Sequence, residues 1–179
     1  PDGEAVPFYF YDEFMKHNGF YDEVRGMISS PLFQRSASYR EGRLSAFRDR
    51  IRDYGVLPQW MRDALEEMRN SFPPDTPLRA RSSTNNEDLE GFNGAGLYSS
   101  YTHHPDEGHF EKTAKQVWAS LWNYRAFEER EFWRIDHFRA AMGILVHPNF
   151  DGEQANGVGV TKNIFDPRRR GNYINVQVG

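Results

Sequence analysis

The hydrophobic period of this chain changes once, near residue 75, and that change constrains the fold more than any composition value. Before it, apolar residues recur at helical spacing. Residues 9–28 carry Phe10, Phe14, Tyr21, Val24 and Met27, with an interruption near Gly19. Residues 42–54 place Leu44, Phe47 and Ile51 on one face at i, i+3 and i+7. Residues 58–69 place Trp60, Met61, Leu65 and Met68 behind Pro58, which suits a first helical turn. Ser71-Phe72-Pro73-Pro74-Asp75 then reads as a loop. Beyond it, residues 78–83, 97–102, 141–146, 157–161 and 173–178 predict short strands around one long helical stretch, 110–135, broken near Asn123. Helices first, then strands flanking a helical block, predict an α+β domain with helices packed on a mostly antiparallel sheet.

The 179 residues suffice for one domain with a real core and are short for two. Although mean hydropathy is −0.80, 14 Phe, 9 Tyr and 4 Trp supply enough ring surface to build that core. No apolar run approaches 18 residues, so no transmembrane helix is predicted. With 22 basic against 26 acidic residues, the net charge of −4 gives no support to nucleic-acid or membrane-surface binding. The absence of cysteine excludes disulfides and thiolate metal sites. Nothing at the N-terminus reads as a secretory signal, which leaves the cytoplasm as the expected compartment. The chain opens on the turn residues Pro1-Asp2-Gly3 and stops within the alternating pattern of residues 173–178, so both ends read as cuts in a longer protein.

The densest chemical signal is Arg79-Ala80-Arg81-Ser82-Ser83-Thr84-Asn85-Asn86-Glu87-Asp88, followed by Gly94-Ala95-Gly96-Leu97-Tyr98-Ser99-Ser100. An Arg at a strand end can set a permanently charged fork over phosphate oxygens. A loop of small residues lets backbone N–H groups approach the same oxygens. Ser99 and Ser100 can add hydroxyl donors. From the residues alone a second reading stands beside this one: an Arg paired with Glu87 or Asp88 next to an ordinary glycine turn, since isolated glycine loops are weak motifs.

Arg81-Ser82-Ser83, Glu87-Asp88-Leu89, Ala95-Gly96, Val117-Trp118-Ala119-Ser120-Leu121-Trp122 and Arg125-Ala126, in that order, resemble the N-terminal ATP-binding domain of the phosphoenolpyruvate synthase and pyruvate phosphate dikinase family. Val6-Pro7 with Tyr11 and Phe14, Met142-Gly143-Ile144-Leu145-Val146 and Gly157-Val158 extend the likeness over essentially the whole of residues 1–179. The resemblance implies part of an ATP-grasp-like fold, with ATP as cofactor. It also implies nucleotide contacts from Arg81, from Gly96 fifteen residues on, and from Ser100 four residues further. Relatives place a Gln where His147 stands at the end of a hydrophobic strand, and that departure weakens the assignment there. Arg81 is the residue the resemblance implies for catalysis. The family's nucleotide-clamping Lys is expected before residue 1, and its Mg²⁺ ligands after residue 179. The remaining lobes, the phosphohistidine domain and the pyruvate-binding barrel are the expected partners within the same polypeptide. Family phosphoryl transfer is positioning plus charge neutralisation and needs all of these, so the chain alone is expected to be inactive. The acceptor stays open between pyruvate, a glucan and an antibiotic, with residues 95–98 nearer the glucan-type relatives. A non-catalytic nucleotide-binding or interaction domain is a further alternative.

Other features read as structural. His103, His104 and His109 are expected in a solvated polar loop rather than at a metal. Trp118, Trp122 and Trp133 are expected in the core rather than as a base-stacking platform. Arg168-Arg169-Arg170 reads as a solvated hairpin tip, and Glu128-Glu129-Arg130-Glu131 as the wet side of a helix. Gly157-Val158-Gly159 marks either a close backbone approach or a bulge.

Overall fold

A computed structural model describes residues 3–86, 94, 96–150, 152–166 and 168–178. It divides into two units, residues 1–149 and 150–179.

The first unit begins with a short strand, β1 (Glu4–Val6), and then five helices: α1 (Phe8–His17), α2 (Phe20–Ser29), α3 (Pro31–Arg35), α4 (Ala37–Asp49) and α5 (Gln59–Asn70). The expected interruption near Gly19 separates α1 from α2. The helix expected over 42–54 starts earlier, because Ser36 caps it by accepting a hydrogen bond from the Tyr39 N–H (3.3 Å). It ends in a π-turn, Arg50–Tyr54, closed by the Gly55 N–H on the Arg50 carbonyl (3.0 Å). Next come β2 (Leu78–Thr84), β3 (Tyr101–His103), α6 (Glu111–Ala119), a 3₁₀ turn at Ser120–Trp122, α7 (Tyr124–Phe132) and β4 (Met142–Pro148). The break expected near Asn123 lies between that turn and α7.

The four strands form an antiparallel sheet in the order β1-β4-β2-β3. The mixture of helices and antiparallel sheet is the α+β architecture that the change of period predicts. Alternation along the strands gives the sheet two different faces. Leu78 and Ala80 of β2, with Met142, Ile144 and Val146 of β4, are buried among the helices. Trp118 and Trp122 lie at the centre of that core, Trp118 against Phe14 (5.0 Å between ring centres) and Trp122 edge-on to Phe47 (5.3 Å). The Trp122 indole N–H donates to the Tyr11 hydroxyl at 3.0 Å, which satisfies a buried donor.

Four expectations need correction. Trp133 is not in the core: it is 45 % exposed and packs edge-to-face on Phe132. His103 is not in a solvated loop; it ends β3, fully buried, with Nδ1 3.0 Å from the Thr113 hydroxyl and its ring against Phe110. Burial pushes its pKa down, so it is neutral. Arg130 is not on the wet side of α7 but fully buried. The strand expected over 97–102 shrinks to Tyr101–His103, because the Leu97 N–H closes back on the Gly94 carbonyl and Leu97 is buried beside Ala126 of α7.

The second unit is a hairpin of β5 (Ala155–Val160) and β6 (Tyr173–Val178), antiparallel, with Gly157 opposite Val176. A side-chain carbon at Gly157 would stand 2.5 Å from the Asn175 carbonyl oxygen, so a close backbone approach explains this glycine. Arg168 and Arg169 are exposed and pair with Asp166 in the connection.

Candidate functional site

The face of the sheet opposite the helices carries the candidate residues. Strand alternation puts Arg79, Arg81 and Ser83 on this face, and antiparallel pairing sets Arg81 across from Leu145 and Arg79 across from His147. Residues far apart in the sequence thus become one patch: two guanidiniums, an imidazole and an apolar side chain. Arg81 is exposed, and among the described residues it makes no hydrogen bond, ion pair or ring contact. Arg79 differs. Its Nη1 donates to the Thr102 hydroxyl at 3.0 Å, tying it to β3, and that hydroxyl lies 3.5 Å from the side-chain Oδ1 of Asn149. Glu87 and Asp88, the alternative partners for Arg81, lie outside the described residues.

Beside Arg81 the sheet offers an apolar groove of about 380 Å³, lined by Ala5, Pro7, Phe8, Gly143 and Leu145 with Ser83. Phe8 and Leu145 are 40 % and 47 % exposed, so the wall of the groove is open to solvent. Gly143 gives the Phe8 ring its place: a side-chain carbon there would meet that ring at 3.2 Å.

Ser100 approaches from the other side of β2. Its hydroxyl oxygen accepts from the Ser82 N–H at 3.3 Å, one residue from Arg81. A serine hydroxyl that accepts this bond still has its own proton to donate. Gly96 stands at the third position of a turn closed by the Leu97 N–H on the Gly94 carbonyl (3.2 Å), with φ 75°. That backbone favours glycine, and among the described residues nothing beyond its chain neighbours lies within 4 Å of where a side-chain carbon would stand. Ala95 lies outside the described residues.

His147 is half-buried and its Nδ1 lies 2.7 Å from the Pro148 carbonyl oxygen. A carbonyl only accepts, so the proton belongs on Nδ1, and the other nitrogen of a neutral ring is an acceptor. The His therefore cannot present the amide-like donor and acceptor pair of a Gln. Among the described residues, no group of three or more His, Asp or Glu side chains converges to hold a metal.

Sequence patterning did not bring out the residues behind the loop. Arg130 lies one helical turn from Ala126 and Phe127, both buried, so its spacing already placed it on the inner face of α7. Its Nε–H donates to His137 Nδ1 at 3.0 Å, and its guanidinium lies over the Trp122 ring at 5.6 Å. His137 stacks flat on Phe127 (4.1 Å), and its Nε2 is 2.6 Å from Glu131 Oε1. Because Nδ1 accepts from Arg130, the ring proton sits on Nε2 and goes to Glu131. Burial pushes the pKa of His137 down and Arg130 lowers it further, with Glu131 and Asp136 opposing.

Known proteins agree with the motif resemblance. A family model described as pyruvate phosphate dikinase, AMP/ATP-binding domain, matches residues 1–179. The phosphoenolpyruvate synthase of Aeropyrum pernix is 29 % identical over 154 residues, covering 82 % of this chain and 18 % of that protein. An uncharacterized phosphotransferase of Bacillus subtilis, YvkC, is 28 % identical over 133 residues, covering 74 % of this chain and 15 % of that protein. The chain thus spans less than a fifth of the length of these curated relatives.

Proposed function

The chain belongs to the pyruvate phosphate dikinase AMP/ATP-binding domain family, and from that premise we propose that its open sheet face is one wall of the ATP site of a phosphotransferase. In this reading the parent enzyme passes phosphate to its acceptor through a phosphohistidine carried elsewhere in the polypeptide, in the cytoplasm. The observation that supports the reading most is Arg81: a guanidinium with no partner among the described residues, at the edge of an apolar groove, with the Ser100 hydroxyl one residue away across β2. A ligand suited to such a surface has a flat apolar part and a multiply charged anionic part.

The roles follow from the groups. Arg81 offers two parallel N–H donors to phosphate oxygens and keeps its charge at any working pH. Ser100 donates its hydroxyl proton. The turn at Gly96 has no side chain to keep a phosphate from the backbone N–H groups. His147 stands across from Arg79 on the same face, as the residue for the adenine or ribose end of the nucleotide. ATP supplies the transferable phosphoryl group, and these residues bind and orient it. Mg²⁺ would be held by side chains outside the described residues and by the phosphates themselves. The name of the Aeropyrum relative favours pyruvate over a glucan as acceptor.

The test is a labelling experiment on the full-length protein. Incubation with ATP carrying labelled phosphates and Mg²⁺ should leave an acid-labile, base-stable phosphoryl group on it. The isolated 1–179 chain should acquire none. Label on the isolated chain would overturn the division of roles; a full-length protein that binds ATP and is never labelled would overturn the phosphohistidine route.

A further inference from the structure

Asn123 opens α7 from the N-cap position, where an Asn side chain ordinarily accepts a hydrogen bond from its own helix, yet it makes no such bond. Its backbone carbonyl starts the helix by accepting from the Phe127 N–H at 2.9 Å, and its side chain is spent elsewhere. The amide nitrogen donates to the Leu97 carbonyl at 3.0 Å. The amide oxygen accepts from Nη1 of Arg48, in the last turn of α4, at 2.9 Å. These two partners fix which way the amide points. A guanidinium only donates and takes the oxygen; a carbonyl only accepts and takes the nitrogen. Arg48, 75 positions away in the sequence, thus commits the amide donor to Leu97.

Leu97 is held at three points. Its N–H closes the turn on the Gly94 carbonyl (3.2 Å), its side chain is buried beside Ala126, and its carbonyl meets Asn123. Two of the three come from the start of α7. Leu97 directly follows Gly96, whose φ of 75° sets the turn. Three residues further on, the Ser100 hydroxyl reaches the Ser82 N–H beside Arg81. A helix that leaves its N-cap bond unmade gives up stability that the same Asn could supply in place. What the molecule gains instead is a defined position for the segment that carries Gly96 and Ser100.

We propose that Asn123 is a positioning residue of the nucleotide site: with its amide oriented by Arg48, it holds the Leu97 carbonyl and so sets Gly96 and Ser100 against Arg81. The proposal rests on the nucleotide reading above. Asn123 is assigned no contact with ATP; it acts through the backbone of Leu97.

The test uses the full-length protein, with ATP affinity read by calorimetry and folding by thermal melting. Asn123→Asp keeps the shape and the acceptor for Arg48, now as a charged pair, and puts a carboxylate at a helix N-terminus. It removes the donor and sets an oxygen against the Leu97 carbonyl. Asn123→Ala removes both bonds and adds no charge. Each is expected to weaken ATP binding by about 2- to 30-fold, the usual size of coupling through a network of contacts. Asn123→Asp should nevertheless melt at least as high as Asn123→Ala. If Asn123 only braced the fold, affinity would follow melting temperature and Asn123→Asp would bind ATP better than Asn123→Ala; the positioning role predicts that it binds no better. Arg48→Met frees the amide to turn, so Asn123→Ala should cost less affinity in that background than alone. Wild-type affinity in Asn123→Ala, affinity that tracks melting temperature, or losses fully additive with Arg48→Met overturns the proposal, and Asn123→Ala alone decides it if Asn123→Asp does not fold. Arg81→Ala separates the two claims. Lost ATP binding there with wild-type affinity in Asn123→Ala leaves the nucleotide reading standing, whereas a wild-type protein that binds no ATP removes both.

Discussion

Arg81 and Arg79 provide an internal comparison, since they share a strand face and a charge and differ in what they touch. Replacing each with Lys keeps the positive charge and removes the planar fork. Arg81 has no partner among the described residues, so Arg81→Lys should leave the melting temperature unchanged. If its guanidinium meets phosphate, loss of one charge-assisted contact of about 1.5–3 kcal/mol weakens ATP binding or turnover by roughly 10- to 100-fold. Arg79 spends a donor on Thr102 at 3.0 Å. Arg79→Lys should therefore act on the fold, by about 0.5–1.5 kcal/mol, and only mildly on ATP. The assay is ATP affinity and steady-state kinetics of both variants in the full-length protein, with urea unfolding as the stability measure. Wild-type turnover in Arg81→Lys together with a large loss in Arg79→Lys would place the phosphate two residues away, and the strand register of the proposed site would have to be abandoned.

Three further outcomes are expected. His137 and His103 both have pKa values held below the ordinary range near 6.5, chiefly by burial. The unfolded chain therefore takes up protons first, stability is complete above about pH 6.5 and falls as the pH drops through the lowered values, and His137→Gln should flatten part of that acid limb in melts between pH 7.5 and 5.5; an unchanged limb would contradict the assignment. Trp122→Ala, which empties the centre of the core and leaves the Tyr11 hydroxyl without its donor, should cost about 3–5 kcal/mol by urea unfolding, and a loss under 1 kcal/mol would show that the core closes around the gap. The isolated 1–179 chain should self-associate in light scattering through uncovered apolar side chains such as Phe8, Leu145, Ile174, Val176 and Val178, and a strictly monomeric species would count against these faces needing a cover.

Periodicity made the helices and the principal strands legible because each is long enough to show its period. β1 has three residues and α3 five, too few for a period to register, and both take their place from the partners they pack against. Trp118 and Trp122 followed their helical spacing into the core, whereas Trp133 lies beyond the end of α7, where that spacing no longer applies. His103 misled for a related reason: its polar neighbours His104, Pro105 and Asp106 suggest a loop, but β3 carries its side chain inward to Thr113 and Phe110.

The candidate site divides the same way. Arg81, Gly96 and Ser100 come from the family resemblance, while the residues alone leave an Arg paired with Glu87 or Asp88 beside an ordinary glycine turn as a second reading. What would make them a site is not local. Arg81 gains its apolar neighbour from Leu145, 64 positions along the chain, by strand register alone, and a one-residue slip would turn Arg81 into the core. The support behind the loop also comes from elsewhere in the sequence, reaching Leu97 from Asn123 and Ala126. A charged residue within a run of charges reads as solvated until its helix is seen to present Ala126, Phe127 and Arg130 on one buried stripe. The spacing was there to be read, and it outranks the composition of the run: on a helix, the identity of residues three and four positions away says more about burial than the identity of adjacent ones.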